Sequence, residues 1–132
     1  MTGVIQVTPF MYARDLEAAL AFWCGTLGFE LRHREPGYAY VALPAEGGGW
    51  GHAGVRILED PDAHLFEGGR DRFAYYLDVR DVDVVHAELG EALDALPPGD
   101  VYGPADKPWG QRELLVRAPD GQLVVFGQAI GG

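Results

Sequence analysis

Ala13-Arg14-Asp15-Leu16-Glu17 recurs 66 residues later as Val79-Arg80-Asp81-Val82-Asp83, half the length of the 132-residue chain. In each copy an aspartate precedes an apolar helical pattern, where its carboxylate can accept hydrogen bonds from the first free N–H groups of a helix. The apolar positions of the first pattern are Leu16, Leu20, Trp23 and Leu27, before Gly28. Those of the second are Val82, Val85, His86 and Leu89, before Gly90. The spacing predicts an internal repeat with one helix in each half.

Short strand patterns surround both helices. In the first half they cover residues 5–12, 29–34, 38–43 and 53–58, and in the second half 73–79, 100–102, 111–117 and 123–127. Alternating apolar positions and turn-forming sequences such as Glu35-Pro36-Gly37 and Ala118-Pro119-Asp120-Gly121 define them. We therefore predict an α+β fold of two βαβββ modules in a single domain of residues 1–132, with halves of about 1–66 and 67–132.

Charge and composition exclude several function classes. Twenty acidic residues against ten basic ones give a net charge of −10, which repels phosphate backbones and anionic lipids and favours cationic ligands. No apolar run approaches the roughly 20 residues that span a bilayer, and the N-terminus lacks signal-peptide features. Cys24 is the single cysteine, so no intramolecular disulfide forms. We expect a cytoplasmic protein that binds neither nucleic acid nor membranes.

Three groups of motifs resemble the vicinal oxygen chelate superfamily, which includes glyoxalase I, extradiol dioxygenases and the fosfomycin- and bleomycin-resistance proteins. They are Ala13–Leu16 with Ala21-Phe22-Trp23 and Leu27-Gly28-Phe29, then Val79–Asp83, then Lys107–Glu113 with Ala118–Gly121. The resemblance covers nearly the whole chain. It implies that each half forms a curled mixed sheet and that the paired sheets enclose a ligand cavity.

Metal-using members of this superfamily carry ligands at three positions that can be located here. One lies seven residues before the first capping aspartate, one at the matching point of the second half, and one in the last strand; here they are Thr8, Ala74 and Val125. A catalytic divalent site needs several converging donors, so we expect no metal and no cofactor. His52 and Glu59, which flank the strand pattern 53–58, are the alternative for an atypical metal site.

Aromatic and acidic side chains form the candidate ligand site. The predicted ligand-binding residues are Phe10, Tyr38, Tyr40, Tyr76, Asp78, Trp109 and Glu113, and no catalytic residue is assigned. Strand alternation places Phe10 on the face of Thr8, and Tyr76 and Asp78 on the face of Ala74. Core packing is an equal alternative for the tyrosines and Trp109. Trp50, in a glycine-rich segment, is a candidate cap of the cavity.

The resemblance is closest to bleomycin-resistance proteins, which sequester a drug without changing it chemically. It implies a metal-free binding protein for a cationic aromatic ligand such as a bleomycin-family antibiotic. The alternative is an enzyme, either a lyase, isomerase or dioxygenase with an atypical metal site or an acid–base catalyst using Asp78 or Glu113. Pro9 interrupts the first strand, where the resemblance implies a proline hinge and a homodimer with exchange of the N-terminal strand.

Overall fold

The computed structural model describes residue 3 and residues 8–43, 53–62 and 74–131. The chain divides into two compact units, Met1–His64 and Leu65–Gly132. Parts of the sequence predictions lie outside the described residues: residues 5–7 of the first strand pattern, residue 73 of the fifth, Trp50 and His52. No helix among the described residues is long and apolar enough to cross a membrane.

The first unit contains a four-stranded mixed sheet. Its strands are β1 (Phe10–Ala13), β2 (Glu30–Glu35), β3 (Tyr38–Leu43) and β4 (Ala53–Glu59), in the order β1-β4-β3-β2. β1 runs parallel to β4, and the other pairs are antiparallel. Pro9 directly precedes β1, which is an edge strand of this sheet, and its carbonyl accepts a hydrogen bond from the Arg56 N–H of β4 at 2.9 Å. Because proline has no N–H to donate to β4 in return, its position agrees with a strand that begins at Phe10.

The helix of the first unit begins where the sequence predicts. α1 (Leu16–Leu20) follows Asp15, whose side chain accepts a hydrogen bond from the Glu17 N–H at 2.9 Å. The helix then widens into a π-helical segment, Ala21–Thr26, in which the Leu27 N–H bonds back to the carbonyl of Phe22. All four predicted apolar positions are buried.

The second unit repeats this topology. Its elements are β5 (Ala74–Asp78), α2 (Val82–Asp94), β6 (Val101–Asp106), β7 (Gln111–Arg117) and β8 (Leu123–Ala129), with strand order β5-β8-β7-β6. β5 is parallel to β8, as β1 is to β4. Asp81 caps α2 by accepting from the N–H groups of Asp83 and Val84. The predicted α+β fold of two βαβββ modules is confirmed.

The largest differences from the predicted bounds in the second unit are at the ends of α2 and β6, and β8 also ends two residues later than predicted, at Ala129. α2 does not end at Gly90 but continues to Asp94, and Leu93 in the added turn is buried. A glycine inside a helix costs about 1 kcal/mol relative to alanine, less than the roughly 1.5–3 kcal/mol that burial of a leucine contributes. β6 extends through Gly103-Pro104, because a register irregularity between Tyr102 and Ala105 accommodates both residues within the strand.

Candidate functional site

In each sheet, one face is packed and the other carries the predicted site residues. In β7 and β8 the side chains of Leu114, Val116, Val124 and Phe126 form the buried face. Because side chains alternate along a strand, Glu113 of β7 and its cross-strand partner Gly127 of β8 belong to the opposite face. Tyr76 of β5, paired with Val125, lies on that face as well.

Three of the predicted residues in the second unit form one hydrogen-bonded group, called here the Glu113 cluster: Tyr76, Trp109 and Glu113. Oε2 of Glu113 lies 3.0 Å from Nε1 of Trp109 and 3.0 Å from the hydroxyl of Tyr76, and both groups donate to it. The Tyr76 hydroxyl also lies 3.0 Å from Oε1 of Gln111, which competes for its single hydrogen. Glu113 is only 7% exposed, whereas Trp109 is 65% exposed. A buried carboxylate therefore holds the edge of an exposed indole.

The turn between β6 and β7 fixes the position of Trp109. The Gly110 N–H donates to the carbonyl of Lys107 at 3.1 Å, and the Lys107 N–H donates to the carbonyl of Gln111 at 2.8 Å. Gly110 has φ +81°, a conformation that L-residues with a side chain rarely adopt. A β-turn followed by a left-handed glycine is a common tight hairpin connection. Trp109 is thus held by its backbone and by its indole nitrogen.

Gly127 makes the cluster possible. A Cβ atom at this position would lie 1.9 Å from the hydroxyl oxygen of Tyr76. β8 lies between β5 and β7, so the phenol crosses β8 over a residue without a side chain and reaches Glu113 on β7. Sequence reasoning missed Gly127, although an isolated glycine inside an apolar strand is a known sign of a close approach.

The environment of Tyr76 changes its ionisation. Desolvation of the hydroxyl, the hydrogen bond to Glu113 and the negative charges of Glu113 and Asp78 together raise the pKa of Tyr76 to about 12. Asp78 shares the strand face of Tyr76, as predicted, two residues along β5. Because the folded-state pKa lies above the ordinary value, this hydroxyl stabilises the fold fully below about pH 10, and the contribution is lost as the pH rises toward 12.

Substitution of Gly127 by alanine should release the Tyr76 phenol from Glu113 and lower the pKa of Tyr76 toward its ordinary value. The added Cβ displaces the far end of a flexible side chain, so the strand itself should persist. Ultraviolet titration of phenolate formation measures the change. Tyr76→Phe assigns the transition, because burial also raises the pKa of Tyr75 to about 12. Gly90→Ala, where a Cβ meets no atom within 4 Å, is the matched control. An unchanged Tyr76 pKa in the Gly127 variant would contradict this geometry.

The predicted residues of the first unit form a second group on one face of its sheet. This first aromatic face consists of Phe10, Tyr38, Tyr40 and Arg56, and β-sheet register pairs Arg56 with Phe10 on one side and with Tyr40 on the other. The guanidinium carbon of Arg56 lies 5.0 Å from the centre of the Tyr40 ring, and Nη1 donates to the Tyr38 hydroxyl at 2.6 Å. Sequence reasoning missed Arg56. Its position opposite Phe10 becomes evident only from the strand register.

The side chains at the expected chelating positions do not fit a transition metal. Of Thr8, Ala74 and Val125, only threonine carries a side-chain oxygen, and Val125 is buried in β8. Oε2 of Glu59 accepts a hydrogen bond from the Leu16 N–H at 2.8 Å, so this carboxylate caps α1. Its suggested partner His52 lies outside the described residues. Within residues 8–43, 53–62 and 74–131, no three His, Cys, Asp or Glu side chains are grouped so as to hold a metal.

Comparison with known proteins places this fold in a family. Residues 5–126 match the family model of the Glyoxalase/Bleomycin resistance protein/Dioxygenase superfamily. The chain belongs to this superfamily. The motif-based resemblance is confirmed, and the match extends over both βαβββ modules.

Similar members of the superfamily bind or confer resistance to bleomycin. The chain is 25% identical over 135 residues to a bleomycin resistance protein of Geobacillus stearothermophilus, an alignment that covers 96% of this chain and 98% of the relative. A bleomycin resistance protein of Staphylococcus aureus gives the same values. Among solved structures, the bleomycin-binding protein of bleomycin-producing Streptomyces verticillus, complexed with copper(II)-bleomycin, is 26% identical with a TM-score of 0.71, and both chains are covered completely.

A further solved structure shares the fold at lower sequence identity. A glyoxalase/bleomycin resistance protein/dioxygenase from Nocardioides aligns with a TM-score of 0.73 at 20% identity, covering 100% of this chain and 88% of the other. At 20% identity, this similarity shows only that the two chains share a fold. Function has to be argued from the side chains of the site.

Proposed function

We propose that this protein binds and sequesters a cationic aromatic small molecule, such as a bleomycin-family antibiotic, without a metal and without changing the ligand chemically. The observation that carries the proposal is the Glu113 cluster. In it a buried carboxylate holds an exposed indole in place through a hydrogen bond of 3.0 Å. The similar bleomycin resistance and bleomycin-binding proteins support the choice of ligand.

The cluster combines the features that bind a planar cation. The exposed face of Trp109 offers a large π surface, and a cation near an indole is attracted by about 0.5–2 kcal/mol, depending on desolvation. The negative charges of Glu113 and Asp78 lie on the same side of the sheet. Since Trp109 is held before the ligand arrives, little side-chain entropy is lost on binding. The net charge of −10 increases the rate of encounter with cations.

The geometry favours binding over catalysis at Glu113. Its Oε2 already receives hydrogen bonds from Tyr76 and Trp109, so this oxygen is engaged within the protein before any ligand arrives. An acid–base catalyst must instead exchange a proton with its substrate in the reaction. The chelating positions supply no adequate donor set for a metal-dependent lyase, isomerase or dioxygenase. A metal-free binding protein therefore agrees better with these side chains.

Titration calorimetry with metal-free bleomycin tests the proposal. We expect saturable binding at submillimolar concentrations or below, and the drug should be recovered with unchanged mass. Protein purified without an affinity tag should contain less than one transition-metal ion per chain. Higher salt should weaken the binding, because part of the attraction is between charges. No binding of bleomycin or of other aromatic cations at submillimolar concentrations would contradict the proposal. Chemical conversion of the ligand, or about one metal ion per chain, would favour the enzyme.

The same preparation tests the assembly that we propose with this function. Pro9 directly precedes the edge strand β1, and it lacks the N–H that would continue the pairing with β4, so the chain can leave the sheet at this residue. We therefore propose a homodimer in which the segment before Pro9 crosses to a second copy. Sedimentation should show a dimer at micromolar concentrations, and deletion of residues 2–8 should weaken it. A monomer at every concentration would contradict strand exchange.

A further inference from the structure

Arg56 lies at the centre of the first aromatic face and is held there in a defined orientation. Its guanidinium carbon is 5.0 Å from the Tyr40 ring centre, and Nη1 donates to the Tyr38 hydroxyl at 2.6 Å. Gly54 provides the room for this arrangement, since a Cβ there would lie 2.3 Å from the Tyr40 hydroxyl oxygen. A guanidinium has five N–H donors, and among the described residues Arg56 uses Nη1 alone.

The internal repeat shows that this cation distinguishes the two units. Phe10 and Tyr76 are repeat counterparts, because each stands five residues before the aspartate that caps its helix. The parallel partner of Phe10 is Arg56, whereas the parallel partner of Tyr76 is Val125. The repeat position that holds an apolar residue in the second unit therefore holds a positive charge in the first. The second unit instead carries Glu113 and Asp78 on its site face.

The charge of Arg56 is not neutralised by a carboxylate among the described residues of its sheet. The acidic side chain that β-sheet register brings beside Tyr38 is Glu35 of β2. Its Oε2 lies 3.3 Å from Nε2 of His33, with which it is paired. The exposed guanidinium of Arg56 thus presents positive charge and N–H donors between two aromatic rings, which is an arrangement suited to an anionic oxygen group.

We propose that Arg56, with Phe10, Tyr38 and Tyr40, forms an anion subsite that takes a carboxylate or a comparable oxygen anion carried on a flat ring. The inference rests on the proposed binding function and specifies its ligand class. The ligand that this inference specifies carries an anionic oxygen group for Arg56 on its aromatic ring. The planar fork of the guanidinium can bind both oxygens of a carboxylate, while the neighbouring rings contact the aromatic part.

Three probes with the same ring and different charge test this subsite: naphthoate, naphthylmethylammonium and naphthylmethanol. Nuclear magnetic resonance on the full chain should show naphthoate shifting the side-chain Nε–H signal of Arg56, and naphthylmethylammonium shifting the indole N–H signal of Trp109. The neutral alcohol should bind more weakly than naphthoate. These signals report on each group directly, whatever the affinity for bleomycin.

Charge variants then distinguish a loss of attraction between Arg56 and the anion from a loss of stability of the fold. Arg56→Gln should weaken naphthoate binding about tenfold or more, because a hydrogen bond to a charged group is lost, and it should leave naphthylmethylammonium binding unchanged or stronger. Arg56→Lys should keep part of the affinity, since it keeps the charge but loses the planar fork. Arg34→Gln is the control in the same unit, because Arg34 is exposed and paired with Glu17. Circular dichroism of each variant verifies the fold.

The outcomes distinguish this proposal from the proposed function. Unchanged naphthoate affinity in Arg56→Gln, or an equal loss in Arg34→Gln, would overturn the anion subsite even if bleomycin binds the wild-type protein. A naphthoate response confined to Trp109 would overturn it as well. If naphthoate binds through Arg56 while bleomycin and the ammonium probe do not bind, the anion subsite is supported and the proposed drug sequestration fails.

Discussion

Replacing Trp23 with alanine should destabilise the protein by about 3–5 kcal/mol, the range found when a large buried aromatic side chain is truncated. Trp23 is 1% exposed, and its ring makes edge contacts with Phe22 at 6.0 Å and with Phe29 at 5.0 Å between centroids. The small alanine side chain would leave a cavity that the sheet and the helix cannot both close. This loss is a large fraction of the 5–15 kcal/mol or so that stabilises a typical domain.

Urea unfolding followed by circular dichroism measures this effect. Trp23→Phe should lose less, because it keeps part of the aromatic packing. Tyr102→Ala is the control for an exposed aromatic residue, since Tyr102 is 56% exposed, and it should change the free energy of unfolding by no more than about 0.5 kcal/mol. A loss below about 1 kcal/mol for Trp23→Ala would show that Trp23 does not hold the helix of the first unit on its sheet.

Replacing Trp109 with alanine should weaken the binding of bleomycin by about ten- to a hundredfold, equivalent to roughly 1–3 kcal/mol. The substitution removes the exposed π surface, and it also leaves Oε2 of Glu113 with one donor fewer. The effect on stability should be small by comparison, because the indole is 65% exposed. Truncation of Trp109 should therefore lower the affinity with little change in stability, whereas the main effect of truncating Trp23 should be on stability.

Titration calorimetry on wild type, Trp109→Ala and Trp109→Phe tests this expectation. The phenylalanine variant keeps an aromatic ring but lacks the N–H that binds Glu113, so its affinity measures how much the fixed orientation of the ring contributes. We expect an intermediate affinity. Binding of bleomycin by Trp109→Ala with wild-type affinity would mean that the Glu113 cluster is not the ligand site, even if the protein binds the drug.

Much of the fold follows from short-range patterns that the sequence displays openly. The capping roles of Asp15 and Asp81 were predicted and are confirmed, because a cap involves N–H groups only two or three residues away. The strand bounds at 38–43 and 111–117 were predicted without error, because turn-forming residues flank both segments. The end of α2 was predicted wrongly at Gly90, since the burial of Leu93 outweighs the local penalty of a glycine.

The sequence by itself determined the repeat, the fold class and the strand faces on which Tyr76 and Asp78 lie, and through its family resemblance it identified the side chains at the expected chelating positions. Only the tertiary structure decided which of these side chains meet. The contact of Tyr76 with Glu113 depends on Gly127 in the strand between them, and the place of Arg56 between Phe10 and Tyr40 depends on the pairing of three strands. Strand register joins residues far apart in the chain. Local periodicity fixes the face of a residue but not its cross-strand neighbour, so these contacts were beyond sequence reasoning.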